Sequence, residues 1–330
     1  LGGFSGCLRH GFQPTVCSTS SSKWYYMGRF YTIRTIKQVG IMIYLQLTIM
    51  AFIWGGTFIA GRIVGESVGA FTAALTRFTI ASVCLLAVAR RWEGKLPQLQ
   101  GRQWFSVLML GLSGVFFYNV FFFLGLQTVT ASRAALIVAL NPIAIALAST
   151  IVFQDQLSPL KIFGIILSLM GAAIVISDGN PLLLLSQGLQ LGDLFLIGCL
   201  FSWATYTIVG KQVMGQLSPV ITATYACISG AILLLPFGLW EGYQNDWMLP
   251  SAKAFFALSY LGILGSALGF CWYYIGVQRI GASQAAVFIN FVPIAATILG
   301  ALILSEPITS TLITGGASVI LGVIITNRAG

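Results

Sequence analysis

Charge is what this sequence has least of: Asp, Glu, Lys and Arg make up 8% of its 330 residues, against 57% hydrophobic residues. Soluble domains carry about 25% charged residues, and so few charges cannot cover a surface that faces water. Lipid is therefore the solvent for most of this surface, and a mean hydropathy of +0.91 agrees. Histidine is nearly absent. The single one, His10, lies in the N-terminal tail, which excludes histidine-based catalysis within the membrane. The six cysteines (Cys7, Cys17, Cys84, Cys199, Cys227, Cys271) show no C-x-x-C spacing, so neither a metal site nor a disulfide framework is indicated. No carboxylate sits in the core of an apolar run and no Gly-x-Ser-x-Gly pattern occurs. An intramembrane enzyme would lack its catalytic groups, and a carboxylate proton relay is not evident. There is no P-loop and no ring of charge, which argues against an ATP-driven pump and an ion channel. No cofactor is expected. The net charge of +9 is spread between apolar runs rather than gathered in a patch, so it reads as membrane orientation, not as nucleic-acid binding.

What is present is length and apolarity in the right portions. A spanning helix needs roughly 20 mostly apolar residues. Ten such runs stand at 44–62, 69–89, 104–126, 133–153, 160–177, 191–210, 218–240, 254–276, 283–304 and 309–326. They do not alternate polar and apolar residues as a membrane barrel would. The expected class is all-α: a polytopic membrane protein with ten transmembrane helices. Ser158-Pro159 opens the fifth run as N-cap plus proline at the first helical position. Thirteen of the 17 basic residues fall on the side of the N-terminus and only Arg62, Arg133 and Lys253 on the other, with Arg77 inside a span. Both termini are therefore expected in the cytoplasm. Residues 1–41 are polar, basic and free of acids, and are expected to be a disordered extension. Met42 directly precedes the first span and is the preferred start. An organelle transit segment is the alternative, since such segments also lack acids.

The two halves of the chain resemble each other. A shift of 151 positions superimposes Gly111/Gly262, Gly114/Gly265, Gly125/Gly276, Gln127/Gln278, Pro142/Pro293, Gly164/Gly315 and Gly171/Gly322, and places Asp155 on Glu306. A shift of 149 places Trp54 on Trp203 and Gly61 on Gly210. The expected organisation is a first five-helix repeat at 42–178, a linker at 179–190 and a second repeat at 191–327. Five spans is an odd number, so the second repeat enters the membrane upside down. Inverted repeats of this kind form carriers with a site near the midplane between the halves.

Particular residues carry a family likeness. They are Trp54-Gly55-Gly56-Thr57-Phe58, Thr76-Arg77-Phe78, Gly125-Leu126-Gln127, Ala131-Ser132-Arg133-Ala134-Ala135 and Asn141-Pro142, with the repeat copies Ala282-Ser283-Gln284-Ala285 and Pro293. On these the chain resembles the EamA family of the drug/metabolite transporter superfamily over about 42–327. The resemblance implies a ten-helix exporter or exchanger of amino acids or related small metabolites, usually in a bacterial inner membrane. A carrier of phosphorylated sugars or nucleotide sugars is the alternative within the superfamily. It would want several cations in the cavity, and only Arg77 is available.

Candidate site residues follow from polarity inside the spans. Arg77 is 8 residues past Gly69, about 12 Å along a helix, too deep to snorkel fully. It is a candidate for a substrate carboxylate, with bracing of backbone carbonyls as the alternative. Pro142 and Pro293 are expected to kink their helices and free the carbonyls of Val138 and Ile289. Such carbonyls must face a cavity or a partner. Asn141 and Asn290 stand beside them. Trp54, Thr57, Tyr118, Asn119, Trp203, Tyr206, Trp272 and Tyr273 add the aromatic and polar groups of a mostly apolar pocket. For any one of these aromatics, packing or lipid contact is the competing role. Asp155 and Glu306 end their helices as gating or capping groups. Gly164/Gly171 and Gly315/Gly322 are spaced for close helix packing, within the chain or in a homodimer. The expected partners are a small-molecule substrate and the lipid bilayer.

Overall fold

A chain in lipid has to satisfy its own backbone N–H and C=O groups, and a helix does so within one segment. The computed structural model describes residues 21–94, 96–153, 158–177, 179–180, 189–245 and 250–328, and among them no strand occurs. Contacts group the chain into Leu1–Tyr44 and Leu45–Gly330; the second unit holds every contact discussed below. The helices are α1 (Ser21–Gly65), α2 (Ala70–Glu93), α3 (Arg102–Thr128), α4 (Ala131–Val138 and Asn141–Phe153) and α5 (Pro159–Ile176). They continue as α6 (Leu191–Val213), α7 (Pro219–Gln244), α8 (Ala252–Ile280), α9 and α10 (Ser310–Arg328). In α9, Ala282–Val287 leads through a 3-10 turn at Phe288–Asn290 into Phe291–Leu304. Among the described residues, seven helices are long and apolar enough to cross a membrane: Met42–Gly65, α2, α3, Ala131–Ala148, α6, α7 and α8. Shorter apolar stretches are Pro159–Val175, Phe288–Leu304 and Ser310–Thr326.

Local chemistry sets the helix starts. Ser158 accepts from the Lys161 N–H ahead of Pro159, as its sequence suggests, and Ser218 does the same for Ile221 ahead of Pro219. Gln190 and Asp193 form a reciprocal capping box at the start of α6. Glu306 accepts from the Ala131 and Ser132 N–H groups and from the Ser132 hydroxyl, so it caps α4 from the other half of the chain. Asp155, its partner in the repeat, lies outside the described residues.

Three expectations change. First, the helix that carries the first span begins at Ser21, upstream of the run expected at 44–62. Lengthening an existing helix fixes one residue per hydrogen bond gained, far less costly than nucleating a new one, and no proline interrupts 21–41. Second, the prolines do not kink continuous helices. Pro142 is the second residue of Asn141–Phe153 and Pro293 the third of Phe291–Leu304. In a first turn the N–H has no intrahelical acceptor, so proline forfeits nothing there. Third, α3 and α8 each contain a π-helical stretch, Gly111–Phe117 and Leu261–Leu268. These are repeat equivalents, and wide π turns of this kind concentrate at functional sites.

Helix contacts come in exchanged pairs. Gly125 of α3 meets Leu196 of α6, and its equivalent Gly276 of α8 meets Leu47 of α1, the equivalent of Leu196. Gly114 meets Tyr206, while Gly265 meets Thr57; Gly111 meets Ser229, while Gly262 meets Ile80. On α5 and α10, Gly164 lies on Gly322 and Gly171 on Gly315, so the two equivalent helices run antiparallel. Ser168, between those glycines, donates to the Val319 carbonyl at 3.0 Å. The close-packing glycines are thus used inside the chain. Helices α2 and α7 also run antiparallel. Thr72 near the start of α2 donates through its N–H to Glu241 at 2.7 Å near the end of α7, and Ser218 at the start of α7 donates to Glu93 at the end of α2.

A methyl group on Gly171 would come within 2.6 Å of the Gly315 carbonyl oxygen, and neither backbone can yield without moving its helix. Gly171→Ala is expected to destabilise the protein by about 1–3 kcal/mol. Unfolding in detergent checks this; an unchanged midpoint would show that α5 and α10 do not pack this closely.

Candidate functional site

The paired breaks in α4 and α9 border one cavity. Its walls come from both halves: Trp54, Thr57 and Phe58 of α1, Arg77 of α2, Tyr118 and Phe122 of α3, Val138 and Asn141 at the break in α4, Trp203 of α6, Phe270 of α8, and Ile289 and Val292 of α9. About 420 Å³ is free of protein atoms, but little more than 30 Å³ admits the centre of a water molecule. That is room for about two waters, so the cavity is contracted in this conformation. Val138 and Ile289, the residues four before each proline, both line it. Helix geometry is thus broken where the backbone borders a cavity, not where it faces lipid.

The centre is aromatic. Trp54 and Trp203, equivalents in the repeat, meet edge to face with centroids 5.3 Å apart at 90°. Phe270 lies 5.4 Å from Trp203 and 6.3 Å from Trp54, and Tyr118 lies 5.2 Å from Trp203. The π stretches supply carbonyls to this cluster. The Trp54 indole N–H donates to the Gly265 carbonyl at 2.9 Å, and the Asn119 amide donates to the Val115 and Gly114 carbonyls at 2.9 and 3.3 Å. The symmetric partner of the first bond would be Trp203 to Gly114. It is not made: the Asn119 amide bonds that carbonyl, and the Trp203 Nε1, beside the Tyr273 hydroxyl, is buried without a well-formed bond among the described residues.

Arg77 is buried and does not act on backbone carbonyls as a brace would. Its Nε donates to Ser266 Oγ at 2.7 Å and its Nη1 to Asn119 Oδ1 at 2.8 Å, joining α2 to α3 and α8. The guanidinium also lies over the rings of Phe78 and Phe122, at 5.3 and 5.9 Å. The repeat places Ala226 where Arg77 stands and Phe270 where Asn119 stands. The charge and its amide partner therefore break the symmetry of the scaffold.

Six of the residues singled out from sequence line the cavity: Trp54, Thr57, Arg77, Tyr118, Asn141 and Trp203. Asn119 sits behind Arg77. Tyr206 stacks behind Trp203 with centroids 5.0 Å apart. Tyr273 packs against both tryptophans and bonds to Thr207 at 3.1 Å. Asn290 is buried away from the cavity, and its amide has no partner among the described residues. Trp272 is half-buried and does not line the cavity. Sequence reasoning passed over Phe58, Phe122, Phe270 and Ser266. Two of these had a signal: Phe122 is the repeat equivalent of Tyr273, and Phe270 that of Asn119. Among the described residues no carboxylate or histidine lines the cavity.

With the geometry established, comparison with known proteins is informative. A model of the EamA-like transporter family matches the chain twice, at residues 41–177 and 190–328. An uncharacterised transporter of Archaeoglobus fulgidus is 30% identical over 284 residues, covering 86% of this chain and 96% of its own. The uncharacterised transporter YyaM of Bacillus subtilis is 29% identical over 286 residues, 86% of this chain and 92% of its own. A probable terminal-alkyne amino-acid exporter of Streptantibioticus cattleyicolor is 26% identical over 285 residues, again 86% and 92%. A crystal structure superposes with a TM-score of 0.64 at 21% identity, covering 86% of this chain and 96% of that one; it shares the fold.

The two tryptophans make a test. Trp54→Phe leaves the Gly265 carbonyl without its donor and is expected to cost about 1–3 kcal/mol more than Trp203→Phe, whose lost N–H had no well-formed bond. Both variants lose the same ring volume. Equal losses in detergent unfolding would mean that the Trp54 bond does not hold α1 to α8.

Proposed function

Since the chain belongs to the EamA-like transporter family, we propose that it is a secondary carrier that exports or exchanges small metabolites, amino acids or related compounds, by alternating access. The observation that carries this reading is the contracted, aromatic, arginine-bearing cavity walled by helices from both halves. Two five-helix units, inverted about an axis in the membrane plane, give such a cavity two mirror-related exits. The exchanged glycine contacts and the antiparallel α5 and α10 support the inversion. In this reading the shorter apolar stretches in α5, α9 and α10 also cross the membrane. Ten spans then put both termini in the cytoplasm, in a bacterial inner membrane. The substrate meets Trp54, Thr57, Arg77, Tyr118, Asn141 and Trp203 directly, with Asn119, Tyr206 and Tyr273 holding them. Phosphorylated sugars fit less well, because a single cation lines the cavity.

Counterflow tests the carrier. Liposomes containing the purified protein and loaded with unlabelled amino acids should accumulate the corresponding labelled ones, and protein-free liposomes should not. Absence of counterflow across a broad amino-acid and metabolite panel would overturn the proposal. Topology is a separate check: reporters fused to the two ends should both remain cytoplasmic. A split result would remove the inverted repeat.

A further inference from the structure

The Arg77 guanidinium is a buried charge held only by neutral groups, Ser266 and Asn119. An uncompensated cation deep in a membrane protein is costly and normally finds a counter-ion. None is built in among the described residues. Asp193 is paired with Arg133 at 2.7 Å. Glu241 accepts from Thr72, Glu306 from Ala131 and Ser132, and Glu93 from Ser218, all at helix ends. Glu66 is exposed in the turn after α1, and Asp155, Asp178 and Asp246 fall outside the described residues. No carboxylate lines the cavity.

Two further polar groups in the same wall are unspent. The Trp203 Nε1 donor has only a loose contact with the Tyr273 hydroxyl and the Asn141 Oδ1 acceptor has no partner among the described residues, and both residues line the cavity with Arg77. A ligand is the partner such groups lack. We infer that Arg77 and the Trp203 indole N–H together hold a carboxylate of the transported molecule, so that the substrates are small organic carboxylates with an apolar or aromatic body, and amines without the carboxylate are refused. This rests on the cavity being the substrate site. The carboxylate supplies the missing counter-ion, the rings of Trp54, Tyr118 and Phe270 take the body, and Asn141 receives a polar hydrogen where the substrate has one.

Purified full-length protein tests this with phenylacetate and phenethylamine, followed by tryptophan fluorescence and by the melting midpoint. Phenylacetate should bind about 10- to 100-fold more tightly, the worth of a hydrogen-bonded charge. Arg77→Gln should erase the preference and Arg77→Lys should keep part of it. Asn119→Asp gives Arg77 an internal counter-ion. It should likewise erase the preference, and it serves where Arg77→Gln does not fold. Equal binding of the two probes, binding of neither, or an unchanged preference in Asn119→Asp overturns the inference. So does loss of phenylacetate binding on exchange of a bulky sulfonate buffer for chloride, which would mark a site for small anions in general. The outcome is separable from the carrier proposal: a carboxylate preference without counterflow sinks carriage alone, and counterflow of amines and acids alike sinks only the carboxylate claim.

Discussion

Buried backbone has nowhere to turn for hydrogen bonds in lipid, and that constraint organises this molecule. A regular helix satisfies itself and can face anything. An interrupted one cannot. The interruptions occur in equivalent places in the two halves: π stretches in α3 and α8, breaks in α4 and α9. All four border the cavity or the helices that enclose it. The π stretches make carbonyls available to Trp54 and Asn119. The breaks bring Val138 and Ile289 to the cavity wall. Glycine makes the arrangement compact, since a methyl on Gly114 or Gly265 would run into Tyr206 or Thr57.

The scaffold is nearly symmetric and the site is not. Trp54 and Trp203 occupy equivalent positions and touch each other, yet only Trp54 has a bonded indole. The difference traces to two substitutions between the repeats. Asn119 takes the carbonyl that Trp203 would use, and Asn119 is there to hold Arg77; the second half has Phe270 and Ala226 instead. A cation placed on the axis side of both halves would double a cost that is already large.

Much of this was legible because it depends on side-chain size and on a fixed offset. The repeat shift found the glycines that meet in exchanged pairs and the two tryptophans, and the Ser-Pro pair marked the capping Ser158. The isolated charge of Arg77 marked a cavity-lining residue by its cost alone. What stayed hidden depends on backbone geometry. Nothing in Gly111–Phe117 distinguishes a π turn from an α turn by composition. The prolines signalled an interruption but not its side, because proline suits a first helical turn as well as it disrupts an interior one. Trp272 and Tyr273 are neighbours of like character, and only the helix phase sends Tyr273 to the tryptophans. Phe270 and Phe122 looked like ordinary apolar filling, since an aromatic wall and an aromatic core use the same residues.

The contracted cavity sets a condition on any transport cycle. With room for about two waters, it cannot admit a metabolite until helices part. The antiparallel pair α2 and α7 is tied at both ends, Thr72 to Glu241 at one and Ser218 to Glu93 at the other. A second tie at the latter end is Gln103 to Gln216 at 2.8 Å, between α3 and the turn after α6. Each tie joins segments from opposite halves, so parting the halves at either end breaks that end's ties. The ties lie at helix ends, where water replaces a broken hydrogen bond at little net cost. The aromatic centre has no such substitute, so parting its rings gives up contacts that water does not return.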